Sequence, residues 1–508
     1  MKSILTFLLL LTSVLFLENS SMAQIAITTD GSMPDNSAML DVKSISKGLL
    51  IPRMSTAQRN AITSPAEGLL VYDLTAANFW YYKNGGWNNL VSGWQLTGNG
   101  GTNQATNFIG TTDNNPLIFK INGIKSGKIG PASDGNVSLG LNALASNTTG
   151  HSNVAFGIYA LYSNTNRSNL VAIGDSALII YGNGAVNYWE AIQNTAVGSN
   201  ALRSNTIGYA NSAYGFQALF LNSSGYQNTA MGALALPQNS AGTNNTAVGY
   251  MSMNNITGGS DNTAMGTYSQ ASCVSGSYNT AVGEYSNYYV TTDDNTSIGY
   301  SAGDYYTFSQ GTFLGSNAYS SANGFTNCMA LGYNARVNAS NKVVVGNTSV
   351  TSIGGYAGWS NFSDGRYKMN IKDNVPGLSF INLLHPVTYN IDINGLNEDI
   401  NQYRPALNRD NERKQTVTPA EQESADAKSR IIYTGFIAQE VEEAARSIGY
   451  DFSGVDSPQN PGGYYGLRYG DFVVPLVKAV QEQQAIINSQ QKQIDELLLR
   501  VNELEKEH

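Results

Sequence analysis

From about residue 136 to 350 the chain repeats one short phrase. "NTAVGSNAL" starts at Asn194, "NSAYGFQAL" at Asn211, "NTAMGALAL" at Asn228 and "NTAVGYMSM" at Asn245. The glycine of each phrase runs from Gly140 through Gly198, Gly215 and Gly232 to Gly346, mostly 17 residues apart. One gap widens to 24 around an insertion near Tyr181 to Gln193, and the last three gaps are 16, 17 and 14. Repeats built on helix pairs need more than about thirty residues. A period of 17 therefore predicts one coil of a β-solenoid, with two short strands and two turns. Thirteen such glycines, at about 4.8 Å per coil, predict a rod of roughly 60 Å.

Inside the phrase, a large apolar residue precedes the glycine (Val197, Tyr214, Met231, Val248) and an alanine often precedes that (Ala196, Ala230, Ala247). Small residues let strands stack around a narrow core. The glycine is expected at a corner where positive φ or close backbone approach penalises a side chain. Asn194, Asn228, Asn245, Asn262, Asn279 and Asn295 stand at the start of the phrase, where turn bonds and stacked ladders are expected. A single coil cannot bury its own apolar face, so coils stabilise one another. Three chains side by side would cover the apolar edge that a lone rod leaves.

Composition fits a β-rich exported chain. Charged residues are 13% and hydrophobic residues 42%, with 52 glycines and 30 tyrosines among abundant Asn, Ser and Thr. Such a mixture favours strands and turns. A net charge of −9 argues against a nucleic-acid partner. Cys273 and Cys328 are the only cysteines and are expected too far apart in the rod to pair, and three scattered histidines make no zinc pattern. No cofactor or metal motif is present in the sequence. Residues 1–23 read as a signal peptide: Lys2, an apolar run from Ile4 to Leu17, and the small-x-small site Ser21-Met22-Ala23. No other stretch is apolar enough to cross a membrane, so a secreted or cell-surface product is expected.

Residues 24–95 predict a β-rich N-terminal domain: a strand, a short helix from near Ser55, then strands joined by the Asn84-Gly85 turn. Its Trp80, Trp87 and Trp94 cluster reads as core, with sugar binding as the alternative. Residues 96–135 predict a β connector, and 136–350 the repeat rod. Residues 396–430 are polar and charged and predict an exposed or disordered loop. From Asp471 the glycines stop. Val473, Val480, Ile487, Ile494 and Val501, with Leu476, Gln483, Gln490, Leu497 and Leu504, form an a/d seam over nearly five heptads. A coiled coil over 473–508 follows.

Between rod and coiled coil lies "SDGRYKMN", residues 363–370. Ser363 and Lys368 are five apart, on different faces of either a helix or a strand, and meet only if the chain bends at Ser363-Asp364-Gly365. After the bend "RYKMNI" alternates, setting Arg366, Lys368 and Asn370 on one face. A Ser-Lys dyad needs a neutral amine, whereas an ordinary lysine has a pKa of about 10.4. A like charge from Arg366 and burial between chains are the expected means. A base so made would act only after assembly, and connectivity makes Phe362–Ser363 its simplest substrate.

Three resemblances add to these readings. The Asn-x-Ala-apolar-Gly tract resembles the head repeats of trimeric autotransporter adhesins and related phage fibres. "LDVKSISKGLLIPRMSTAQRNAI" and "GLLVYDLTAANFWYYKNGGW" resemble the N-terminal region of exported fibre-like proteins of Bacteroidetes. Residues 361–508 resemble the endosialidase-type intramolecular chaperone of phage tailspikes, through "SDGRYKMNI", "LLHPVTYNI", "TGFIAQEVEEA" and "YGDFVVPLVKAVQEQQAII". That resemblance implies a domain that trimerises, templates the fibre before it and cuts itself off, with Ser363 as nucleophile and Lys368 as base. Asp364, Arg366 and Asn370 match the motif as supports, and Gln439 and Glu440 match on a helix from about Ala438. The expected protein is mainly β, a homotrimeric solenoid fibre ending in an α+β chaperone domain. The alternative is a glycan-degrading or glycan-binding spike with cell-surface glycans as ligand. Degradation needs a carboxylate pair about 5–10 Å apart, and Asp175, Glu190, Asp261, Glu284, Asp293, Asp294 and Asp304 do not recur at equivalent coil positions.

Overall fold

The computed structural model describes residues 24–90, 107–182, 184–402, 417–460 and 463–507, with five further residues between 98 and 105. The expected signal peptide and Trp94 lie outside them, as do 403–416 of the polar insert. The chain divides into two units, Met1–Gly110 and Thr111–His508.

In the first unit Ile25–Thr28 pairs in parallel with Leu40–Lys43. A four-stranded sheet follows, made of Arg53–Met54, Leu70–Asp73, Asn78–Lys83 and Gly86–Asn89. The expected helix is Thr56–Asn60, held by a capping box between Ser55 and Gln58. The expected turn has positive φ at both Asn84 (52°) and Gly85 (77°), the geometry of a two-residue hairpin. Trp80 is half-buried, and the Arg59 guanidinium lies 3.7 Å from its ring centroid. Arg59 also pairs with the fully buried Asp73 at 3.4 Å. The Trp80 side of the aromatic cluster is thus committed to the unit's own packing.

The second unit is the solenoid with its C-terminal domain. One sheet of fifteen strands runs the length of the rod. Two belong to a hairpin, Leu117–Ile121 and Ile124–Ile129, whose second strand lies antiparallel to Val137–Leu139. Its pairing covers the first coil's open edge, so the second half of the expected connector is the rod's cap. The other thirteen strands are parallel, one per coil, in strict register: Ala196 faces Ala213, then Ala230, then Ala247. Each is three residues long, and alternation points the central alanine inward, where Ala196, Ala213, Ala230 and Ala247 are fully buried. The same alternation turns the residue before the glycine outward. Leu139, Phe156, Tyr214 and Met231 are 38–56% exposed, part of an apolar line along the rod.

Two strands per coil were expected, and most coils form one. Across the tube from the sheet, the chain alternates into the left-handed region at Asn200 (φ 58°), Leu202 (48°) and Ala210 (53°), and again at Gln217, Leu219 and Gln227. Such a path breaks a strand but lays a line of leucines (Leu161, Leu178, Leu202, Leu219, Leu236) against the alanines, all fully buried. Left-handed leucine is strained by about 1–3 kcal/mol, and full burial of its side chain returns about as much. Among the described residues, second strands pair only near the far end, Phe308–Ser309 with Phe325–Thr326 and Tyr319–Ser320 with Arg336–Val337. The repeat glycines meet both expected constraints. Gly215 has φ 137°, and a Cβ on it would lie 2.5 Å from the carbonyl oxygen of Gly232 in the next coil.

The asparagines form the expected ladder, fully buried. Asn211 N donates to Asn194 Oδ1 at 2.9 Å, Asn228 N to Asn211 Oδ1 at 3.0 Å and Asn245 N to Asn228 Oδ1 at 3.0 Å. Their Nδ2 groups donate onward, as Asn228 does to Gly242 O at 2.9 Å. A second, unexpected ladder runs through Asn205, Asn222 and Asn239, with Asn222 Nδ2 donating to Asn205 Oδ1 at 2.7 Å and Asn239 Nδ2 to Asn222 Oδ1 at 2.9 Å. Its signal was present as "NTIG", "NSSG" and "NSAG", an asparagine three residues before a second glycine.

Replacing Asn228 by Ala leaves the buried Asn245 N–H without its acceptor, while Gly242 C=O keeps its bond from Asn239 Nδ2, an expected loss of roughly 1–3 kcal/mol. Hydrogen exchange at Asn245 should accelerate and the denaturant midpoint of the rod should fall, while Gln238→Ala at the exposed surface should leave both nearly unchanged.

Candidate functional site

After the last coil strand, Val343–Val345, the chain runs without regular structure to a single 3-10 turn, Gly365–Tyr367. Asp364 caps that turn: its Oδ1 accepts the Arg366 N–H at 2.9 Å, and Tyr367 N–H bonds Asp364 O at 3.2 Å. Lys368 N–H closes on Gly365 O at 3.2 Å. One tight turn thereby folds the lysine back over the serine, and Lys368 Nζ donates to Ser363 Oγ at 2.8 Å. The expected bend exists, and the two residues meet.

The expected alternation after it does not. Arg366 and Tyr367 are in the turn, Lys368 is extended at its end, and Asn370 has φ 56°, so no strand sets Arg366, Lys368 and Asn370 on one face. Arg366 does not serve as a free like charge either. Its Nη2 pairs with Asp364 Oδ2 at 2.6 Å, and its guanidinium holds the Asp364 carboxyl below the usual carboxylate range. The pair's charges offset one another beside the lysine.

Ser363, Lys368 and their neighbours other than the half-buried Asp364 are exposed in the single chain. Exposure is 91% for Trp359, 79% for Phe362, 86% for Met369 and 79% for Ile371. So many large apolar side chains around one turn form a surface that solvent does not favour.

The domain behind the turn has a small core of Phe380, Val441, Ala445, Phe452 and Phe472. It includes two short antiparallel pairs, Val387–Tyr389 with Tyr433–Gly435 and Val455–Asp456 with Gly466–Leu467. The helix expected from Ala438 is Ala438–Ser447; Glu440 in its first turn lies 3.8 Å from the exposed His385. The polar insert is a correction. Its described part is largely helical, Ile393–Gln402 and Pro419–Ser429, the second with a Thr418/Glu421 capping box and a buried Ala425. "TPAE" at Thr418 carried that start signal, with proline in the first turn.

The long helix, Val473–Glu507, uses two faces. Pro475 and Ala479 are buried against the domain, and Glu482 accepts the Leu378 N–H at 2.8 Å. Gly377 permits that approach, since a Cβ there would lie 2.7 Å from Ala479 N. The seam lies elsewhere. Val473, Leu476, Val480, Ile487, Ile494, Leu497, Val501 and Leu504 are 48–61% exposed.

Residues 363–450 match the family described as chaperone of endosialidase. Residues 26–107 match the phage tail like trimerisation region. The expected chaperone resemblance therefore holds over residues 363–450, and the match to a trimerisation region precedes the rod in sequence. Among solved structures, the collagen-binding domain of the Yersinia adhesin YadA is 16% identical, over 44% of this chain and 80% of its own, with a TM-score of 0.15. No curated protein matches significantly.

Among the described residues no His, Cys, Asp or Glu group is arranged to hold a metal, and no helix is long and apolar enough to cross a membrane. Cys273 and Cys328 are free thiols buried in separate clusters. Asp293 of the acidic "TTDDN" turn accepts the Ser277 N–H at 2.8 Å, a role in stacking coils.

The Asp364 pair should be complete above the ordinary carboxylate pKa of 3.8 and lost as pH falls through a lower folded value. A carbon-13 carboxyl titration of Asp364 should therefore have its midpoint below 3.8, rising toward it in Arg366→Ala, where the backbone N–H bond to Oδ1 remains.

Proposed function

We propose that the chain is the protomer of an exported homotrimeric fibre whose C-terminal domain gathers three chains, templates the rod and then severs itself at Phe362–Ser363. The observation that carries this reading is the 2.8 Å contact between Lys368 Nζ and Ser363 Oγ, placed at the junction of rod and chaperone region. The exposed seam supports assembly, because heptads of this length bury their a and d residues only against other helices. The apolar line on the rod supports it too, giving three parallel rods a common face. Residues 1–23, read as a signal peptide, direct export, and their removal releases the product outside the cell or onto its surface.

The chemistry needs no separate substrate pocket. Lys368, as free amine, takes the Ser363 Oγ proton; desolvation between chains favours that neutral form. Oγ adds to the Phe362 carbonyl carbon through a five-membered ring. The Phe362–Ser363 C–N bond breaks as the Ser363 nitrogen takes a proton, leaving Phe362 esterified to Oγ. Water then hydrolyses the ester, giving a Phe362 carboxylate and restoring the serine hydroxyl on a new N-terminus. One chain turns over once.

Denaturing gels of the full chain should show two pieces, the smaller with Ser363 at its N-terminus by mass. Ser363→Ala and Lys368→Ala should each show one piece, a slowing of at least about a hundredfold. Lys368→Arg should fail equally, since a guanidinium does not deprotonate. Two pieces from Ser363→Ala would end the proposal.

Assembly and cleavage should also fail together. Ile487→Asp with Ile494→Asp should give monomers in sedimentation and an uncut chain. Monomers that still cut themselves would separate the dyad from trimerisation.

A further inference from the structure

The insert helices do more than fill a loop. Lys428 Nζ donates to the carbonyls of Thr348 (2.7 Å) and Val350 (2.6 Å), just past the last coil strand. Thr348 Oγ1 donates to Asn397 Oδ1 at 2.6 Å, and Tyr333 OH to Glu421 Oε1 at 2.7 Å. Beside them Lys342 pairs with Asp456 at 3.1 Å, and Asn460 Nδ2 donates to Asn338 O at 2.8 Å. Every rod residue in this set lies at or before Val350, and every domain residue at or after Asn397. The proposed scission point falls between, in the exposed segment that none of these contacts uses.

We propose that the domain, once cut, stays on the rod as a non-covalent cap, held by this docking surface. The inference rests on the cleavage reading only for the event that creates the cut. Its physical basis is separation of roles: the peptide link at 362–363 is not what positions the domain. Val343–Val345 ends the sheet, pairing with Met329–Leu331 alone, and the docked helices sit beside that end. In a trimer three such docks act together, since the coiled coil joins the three domains. Each dock then rebinds at high effective concentration, so contacts that are weak singly hold collectively. They are polar and partly ionic, and high salt weakens them.

The test uses the full secreted chain. Denaturing gels report the cut, and size-exclusion at about 0.1 M salt reports retention, where exposed charges are screened only beyond about 10 Å. Two bands on the denaturing gel within a single native peak are expected, with at least tenfold faster loss of the C-terminal piece at 1 M salt. Lys428→Ala with Glu421→Ala should release the piece at least tenfold faster at low salt; Lys342→Ala with Asn460→Ala, away from the capped helix, provides a second variant. A cut protein whose piece elutes alone at low salt overturns the cap, as do variants that retain it unchanged. If denaturing gels show one band, the cleavage reading fails by itself. A site-specific protease sequence placed within 352–361 then makes the cut, and co-elution or separation decides the cap as before.

Discussion

The backbone N–H of each asparagine from Asn211 through Asn228, Asn245 and Asn262 to Asn279 in the first ladder is satisfied by the coil before it. Asn228 N–H reaches Asn211 Oδ1 and Asn245 N–H reaches Asn228 Oδ1, all fully buried. A coil without its neighbour therefore leaves buried polar groups unpaired as well as apolar surface exposed. Each such group costs about 1–3 kcal/mol, so the first coil is the hardest to form and later ones add readily. The rod needs an end to start from.

Both ends answer that need. At one, the 117–129 hairpin covers the open strand with antiparallel pairing. At the other, the last strand has no further strand beyond it, and the chaperone region places Lys428, Glu421 and Asn397 against the chain leaving the final coils. In the proposed trimer those contacts would fix the chain leaving the final coils and give the rod an end from which to build. The same domain leaves its helix seam and the apolar surroundings of Ser363 uncovered, which links the proposed dyad to association: exposed apolar side chains that call for partners flank the Ser-Lys contact itself.

Much of this was legible in the residues because repetition amplifies weak signals. One Asn-x-Ala-apolar-Gly phrase says little, yet seven of them among thirteen regularly spaced glycines fix the coil, the glycine corner and the ladder. The heptad seam and the Ser55 and Asn84-Gly85 signals were local in the same way. Arg366 illustrates the opposite case. Its expected influence on Lys368 depended on side-chain direction, and the Asp364 cap two residues away took its charge instead. The insert was judged by its polarity, although "TPAE" marked a helix start; what keeps it ordered is contact with coils some eighty residues earlier.

The sequence by itself determined the coil period, the inward alanines, the ladder and the a/d seam, because each follows from the spacing of residues along the chain. The tertiary structure decided how each coil turns back, with leucines in left-handed conformation packed on the alanines. It decided that Lys368 meets Ser363, and that the insert docks on the rod's end. Those outcomes turn on which distant groups satisfy a hydrogen bond or fill a core, and one-dimensional spacing does not encode that.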